Sequence, residues 1–210
     1  METNGIILAA GLSSRMHAFK PLLKLKEKTM IEHSVDSMLC AGVNQVIVVL
    51  GYRAAEIESL LYEKYDRSRL VMIHNPAYAV TDMLTSVKIG ISALKPCEAF
   101  YLLPGDMPAI QAQTYLAVKE AMCRARALVA FPTVNGYRKH PPLISWQCIE
   151  DILGFTKEGG LREVWKQLEK QIATIPVDDV GCMLDADTPA DYARLADYMG
   201  SSILPDSLVR

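Results

Sequence analysis

Short apolar runs alternate with stretches of helical periodicity from the start of the chain. Residues 5–10, 45–50, 70–74, 99–103 and 127–131 are rich in Val, Ile, Leu or Ala, as strands covered on both faces should be. Between them, residues 30–41, 54–65, 83–94 and 113–124 place apolar side chains near a 3.6-residue spacing, and Gly42 closes the first. Strand and helix in this order predict an α/β domain whose central sheet is mostly parallel, with helices on both faces.

The last third reads differently. Residues 133–143 contain Asn135-Gly136 and Pro141-Pro142 and read as a turn or hairpin, and Ser145 reads as the start of a helix through Leu153. Gly159-Gly160 precedes a helix over 161–170, and residues 173–177 offer a further strand. Thr188, Pro189 and Asp191 supply a capping hydroxyl, a first-turn proline and an acid three residues on, which start a helix over 191–199. One domain over 1–200 with a loose tail over 201–210 is the expected organisation.

The chemistry gathers where the first strand ends. Leu8-Ala9-Ala10-Gly11 brings small backbone close to a ligand, Ser13 and Ser14 add hydroxyls, and Arg15 and Lys20 add fixed positive charge. That is a triphosphate grip, although neither a G-x-x-x-x-G-K-[ST] loop nor a three-glycine dinucleotide fingerprint is present. Ligands of parallel sheets sit at the carboxyl ends of the strands, so the loop after Leu103 faces the same crevice. It carries Asp106 between Gly105 and Met107-Pro108, a carboxylate suited to magnesium; the plainer reading is a turn aspartate bonding its own backbone. Asp185 and Asp187, ahead of the late capped helix, taken alone serve a helix N-terminus as readily as a metal. Beside Asp106 they favour the metal.

Composition narrows the ligand. A net charge of -2 gives no basic surface for nucleic acid, so a small molecule is expected. The five cysteines have no Cys-x-x-Cys spacing and the four histidines no close pair, which argues for reduced thiols and against zinc. An acid at Glu2 and a short apolar run over 5–12 are unlike a signal peptide or a bilayer span, so a cytoplasmic protein with no membrane contact is expected.

These motifs together resemble the small nucleotidyltransferases of the molybdenum cofactor guanylyl- and cytidylyltransferase type. Their opening signature, roughly L-A-A-G-x-S-S-R-M-G-x-x-K-x-L-L, is matched at Leu8, Ala9, Ala10, Gly11, Ser13, Ser14, Arg15, Met16, Lys20, Leu22 and Leu23. The likeness continues through Val48-Val49-Leu50-Gly51, Asn75-Pro76 with Met83 and Ser86, Gly105-Asp106-Met107-Pro108, His140-Pro141 and Asp185 to Tyr192. It departs from the pattern at His17, Tyr52, Asp82 and Lys139; Asp82 reads equally well as a helix cap, with Thr81 as its competitor.

The resemblance implies a Rossmann-like three-layer fold of the nucleotide-diphospho-sugar transferase type. It also implies a magnesium-dependent transfer of CMP from CTP to the phosphate of molybdopterin, with release of pyrophosphate and a molybdoenzyme as recipient of the product. Arg15 and Lys20 would hold the β- and γ-phosphates, and Asp106 and Asp187 the metal, with Arg15, Lys20 and Asp106 as the catalytic set. Leu8, Ala9, Ala10, Gly11, Ser13, Ser14, Ser86 and Gly105 would line the nucleotide, Ala10 favouring a pyrimidine, and His140 would face the acceptor. Alternatives are cytidylyl or uridylyl transfer to a sugar or polyol phosphate, and a non-catalytic nucleotide sensor or chaperone.

Overall fold

The computed structural model describes residues 1–12, 16 and 18–200. In chain order its elements are β1 (Thr3–Ala9), β2 (Lys24–Leu25), β3 (Lys28–Thr29), α1 (Met30–Cys40), β4 (Val46–Leu50), α2 (Ala54–Lys64), β5 (Leu70–His74), α3 (Met83–Ser92), β6 (Ala99–Pro104), α4 (Ala112–Ala125), β7 (Val129–Val134), β8 (Tyr137–Arg138), β9 (Leu143–Ser145), α5 (Ile149–Gly154), α6 (Leu161–Gln167), β10 (Ile172–Pro176) and α7 (Pro189–Tyr198). Among the described residues no helix is long and apolar enough to cross a membrane.

The main sheet has the order β10-β7-β9-β6-β1-β4-β5, with β8 beside β7. β1 pairs in parallel with β4 and β6, β4 with β5, and β7 with β10. Alternate side chains of a strand point to opposite faces, and the core divides accordingly. Ile7, Val46, Val48, Leu50, Tyr101 and Leu103 pack under α1, α2 and α4. Ile6, Ile47, Val49, Phe100 and Leu102 pack under α3, α5 and α6. Burying each such side chain contributes about 2 kcal/mol, so this two-sided packing, more than helix propensity, fixes the three layers.

The expected α/β architecture is therefore present, with one insertion that the sequence pattern conceals. β9 runs antiparallel to both β6 and β7 and separates them. Residues 143–145 form this strand where the sequence pattern reads only the end of a hairpin, while Ser145 does start the expected helical run: its Oγ accepts from Gln147 N at 3.3 Å, Trp146–Cys148 makes a single tight turn, and α5 follows. A three-residue strand after two prolines has too few alternations to register as a period. The Asn135-Gly136 hairpin does form, between β7 and β8, with both turn residues at positive φ.

A third, smaller core lies outside the sheet. Met16 and Leu23 from the segment after β1, Leu25 of β2 and Met30 at the start of α1 pack against Ala109, Ala186, Tyr192 and Leu195. Helix α7 is anchored there by its buried face and by the expected box: Thr188 Oγ1 accepts from Asp191 N, and Asp191 Oδ2 accepts from Thr188 N. This core joins the two ends of the chain at the carboxyl edge of the sheet.

Candidate active site

A cleft of about 280 Å³ opens at that edge, between the loops that follow β1 and β6 and the start of α3. Leu8 to Gly11, Lys20, Ser86, Gly105 and Asp106 all line it. Close backbone approach makes the cleft, and glycine permits it. Gly105 N donates to Leu8 O at 2.9 Å, and a Cβ at Gly105 would stand 3.0 Å from that same oxygen. A Cβ at Gly51 would stand 2.5 Å from Ala10 O and 2.6 Å from Tyr78 Cβ, so Gly51 lets the loops after β1 and β5 meet. Gly51→Ala is expected to cost about 2 kcal/mol through overpacking, read as a lower urea midpoint. An unchanged midpoint would mean the neighbouring backbone yields freely.

Lys20 sits at the centre. Its residue is 9% exposed, and its Nζ donates to Asp106 Oδ2 at 3.0 Å and to Asp187 Oδ1 at 2.7 Å. Burial works against the ammonium charge, but the hydrogen bonds and charges of Asp187 and Asp106 outweigh it and hold the lysine pKa above its ordinary value. The two aspartates come from loops far apart in sequence; the third core and the hydrogen bond from Ala186 N to Asp106 O, 3.2 Å, bring them together.

Two carboxylates within 3.0 Å of one ammonium nitrogen form a compact anionic pair that also suits a divalent cation. Among the described residues no group of three or more His, Cys, Asp or Glu side chains gathers as a metal cage. The two carboxylates of Asp106 and Asp187 are a donor set that fits a divalent cation whose shell is completed by water and substrate phosphate oxygens.

The far wall is set by Asn75, which is 2% exposed. Its Nδ2 donates to Thr81 Oγ1 at 3.0 Å and Ser86 Oγ at 3.1 Å, and its Oδ1 accepts from Ala77 N at 3.0 Å, fixing the loop before α3. Asp82, one of the departures from the family pattern, caps α3 by accepting from Thr85 N at 2.9 Å and also lines the cleft. Hydrogen bonds from the Thr85 backbone and hydroxyl hold its carboxyl below the usual carboxylate range.

His140 lies in a neighbouring cleft with Arg138, Lys139, Trp165 and Asp185. Because β9 runs antiparallel to β6, the residues ahead of it return to the carboxyl edge of the sheet. Burial lowers the His140 pKa, against the raising effects of the Leu102 carbonyl, 3.4 Å from Nδ1, and of Asp106. Burial thus favours the neutral ring, in which Nδ1 donates to that carbonyl and Nε2 is a hydrogen-bond acceptor. Arg138 is held by Glu169 at 2.6 and 2.9 Å and stacks over Phe131.

Of the residues expected from sequence, Leu8, Ala9, Ala10, Gly11, Lys20, Ser86, Gly105 and Asp106 share one cleft, Asp187 reaches it through Lys20, and His140 lies beside it. Ser13, Ser14, Arg15 and His17 lie outside the described residues. Asn75 belongs to the Asn75-Pro76 motif, which by itself signals no role; its buried amide, bonded to Thr81, Ser86 and Ala77, supplies one.

Residues 5–172 match the MobA-like NTP transferase domain family. The molybdenum cofactor cytidylyltransferase of Escherichia coli K12 is 32% identical over 188 residues, covering 89% of this chain and 92% of that enzyme. Among solved structures, a nucleotidyl transferase from Methanothermobacter thermautotroptrophicus superposes with a TM-score of 0.80 at 22% identity, over 96% of this chain and 99% of that one. A Mycobacterium tuberculosis H37Rv protein solved in complex with manganese superposes with a TM-score of 0.72 at 22% identity, over 94% of this chain and 98% of that one. With a cleft made by the small-residue loop after β1 and a lysine bridging two carboxylates, the chain belongs to the MobA-like NTP transferase family and is a nucleotidyltransferase.

Proposed function

We propose that this enzyme transfers CMP from CTP to the terminal phosphate of a molybdopterin cofactor and releases pyrophosphate. The observation that carries the reading is the Lys20 ammonium between Asp106 and Asp187 at a cleft walled by Ala10 and Gly105. The cytidylyltransferase relative supports the choice of nucleotide and acceptor.

An oxygen of the acceptor phosphate forms a bond to the α-phosphorus of CTP. The bond from that phosphorus to the bridging β-phosphate oxygen breaks, and pyrophosphate leaves with the electron pair. Such a transfer needs alignment and charge neutralisation rather than a protein nucleophile. Lys20 and Arg15 serve the β- and γ-phosphates. Asp106 and Asp187 hold magnesium, which supplies further neutralisation of the triphosphate when bound. Ala10, 6% exposed in the cleft wall, sets a methyl group where a purine would need more room and so favours cytosine. Lys139 and His140 line the acceptor side, the neutral imidazole offering a hydrogen-bond acceptor rather than charge.

CTP in magnesium is expected to raise the melting temperature more than GTP, ATP or UTP, since a ligand stabilises the state it binds by mass action. With CTP, pyrophosphate release should follow molybdopterin and not methylerythritol phosphate or a simple sugar phosphate. Turnover of the latter with none of molybdopterin would replace the acceptor; equal shifts by all four nucleotides would remove the base assignment.

A further inference from the structure

Asp179 is a carboxylate that the reaction above does not use, and it is only 4% exposed. Its Oδ2 accepts from Gln111 N at 2.9 Å and from Thr114 Oγ1 at 2.6 Å; its Oδ1 accepts from Gly181 N at 2.9 Å. Gln111 and Thr114 open α4, directly after the loop that carries Asp106, and Gly181 begins the segment that runs to Asp187. One side chain thus fastens the two loops that supply the carboxylate pair. The fit is close: a Cβ at Gly181 would lie 2.1 Å from Ala109 O, and Ala186 N donates to Asp106 O at 3.2 Å.

The residue type is informative. Burying a carboxylate among neutral donors is costly, and three charge-assisted hydrogen bonds offset that cost. An asparagine has one acceptor oxygen, so it would set an NH₂ group against either Gly181 N or the Gln111–Thr114 pair. Only an acid of this length satisfies both loops at once.

We propose that Asp179 is a positioning residue that sets the spacing of Asp106 and Asp187 and thereby tunes the site toward magnesium. The inference rests on the reading of Asp106 and Asp187 as the metal carboxylates. Groups that orient metal ligands from behind change affinity by about 10- to 100-fold when replaced. Magnesium demands near-ideal octahedral geometry, so a displaced carboxylate should penalise it sharply.

In Asp179→Asn, the magnesium concentration giving half-maximal pyrophosphate release should rise about tenfold, and the ratio of magnesium-supported to manganese-supported rate should fall. Manganese binding in the presence of a non-hydrolysable CTP analogue, followed by electron paramagnetic resonance, gives a readout independent of turnover and should weaken in parallel. Thr114→Val, which removes one donor and keeps the acid, should move all three in the same direction by less, and it serves should Asp179→Asn fail to fold. A lowered melting temperature with unchanged half-saturation, metal ratio and manganese binding in the folded variants would overturn the proposal. Asp106→Asn is the control: if it too leaves manganese binding unchanged, the metal assignment fails, whereas if it alone abolishes binding, only the role of Asp179 fails.

Discussion

Asp106→Ala is expected to lower turnover about a thousandfold, because in the proposed reaction it removes a charged metal ligand beside the reacting phosphate and with it about 4 kcal/mol of transition-state stabilisation. The fold should survive. The Asp106 side chain is 24% exposed, Lys20 keeps its bond to Asp187, and the tie from Ala186 reaches the main-chain oxygen of residue 106, which the substitution leaves in place. Pyrophosphate release against magnesium concentration, with urea unfolding as control, checks both halves. Near-normal turnover would move the metal site elsewhere; collapse of the urea midpoint would make Asp106 a structural aspartate.

Lys20→Ala is expected to cost about a hundredfold in turnover and also to reduce stability in the absence of metal, by about 1–2 kcal/mol. The second effect arises because two carboxylates brought to one point lose the ammonium between them. Both are partly solvated, at 24% and 30% side-chain exposure, so the penalty stays below that of a fully buried pair. Added magnesium should then raise the melting temperature of the variant more than that of the wild type, while turnover stays low. A variant that binds CTP and turns over normally would show that the lysine serves the fold alone.

How much of this was legible beforehand varied by residue. The small-residue loop and Asp106 announce themselves because strand periodicity ends abruptly at each, and Asp187 is flagged by the helix start that follows it. That these residues meet at Lys20 was not legible from spacing. It depends on apolar contacts between Met16, Leu25, Tyr192 and Leu195, which link segments from opposite ends of the chain. β9 was hidden by its brevity, and the sheet order around it could not be drawn from periodicity. Asp179 was hidden for another reason: in Val177-Asp178-Asp179-Val180-Gly181 two acids stand side by side, and only the fold turns one of them inward. Asp82 was legible to the extent of its two readings, and its capping bonds select one without moving it from the cleft.

The third core also bears on the order in which the molecule becomes competent. β1, β4, β5 and β6 can pair from the first half of the chain, but Lys20 meets Asp187 only after α7 has been made and docked onto Met16 and Leu25. Closing so long a loop is a late event in folding, rewarded only when both ends are present. During synthesis, therefore, the part of the sheet made by β1, β4, β5 and β6 is expected to form ahead of the carboxylate pair, so that a nascent chain presents one wall of the cleft before it has the means to use it.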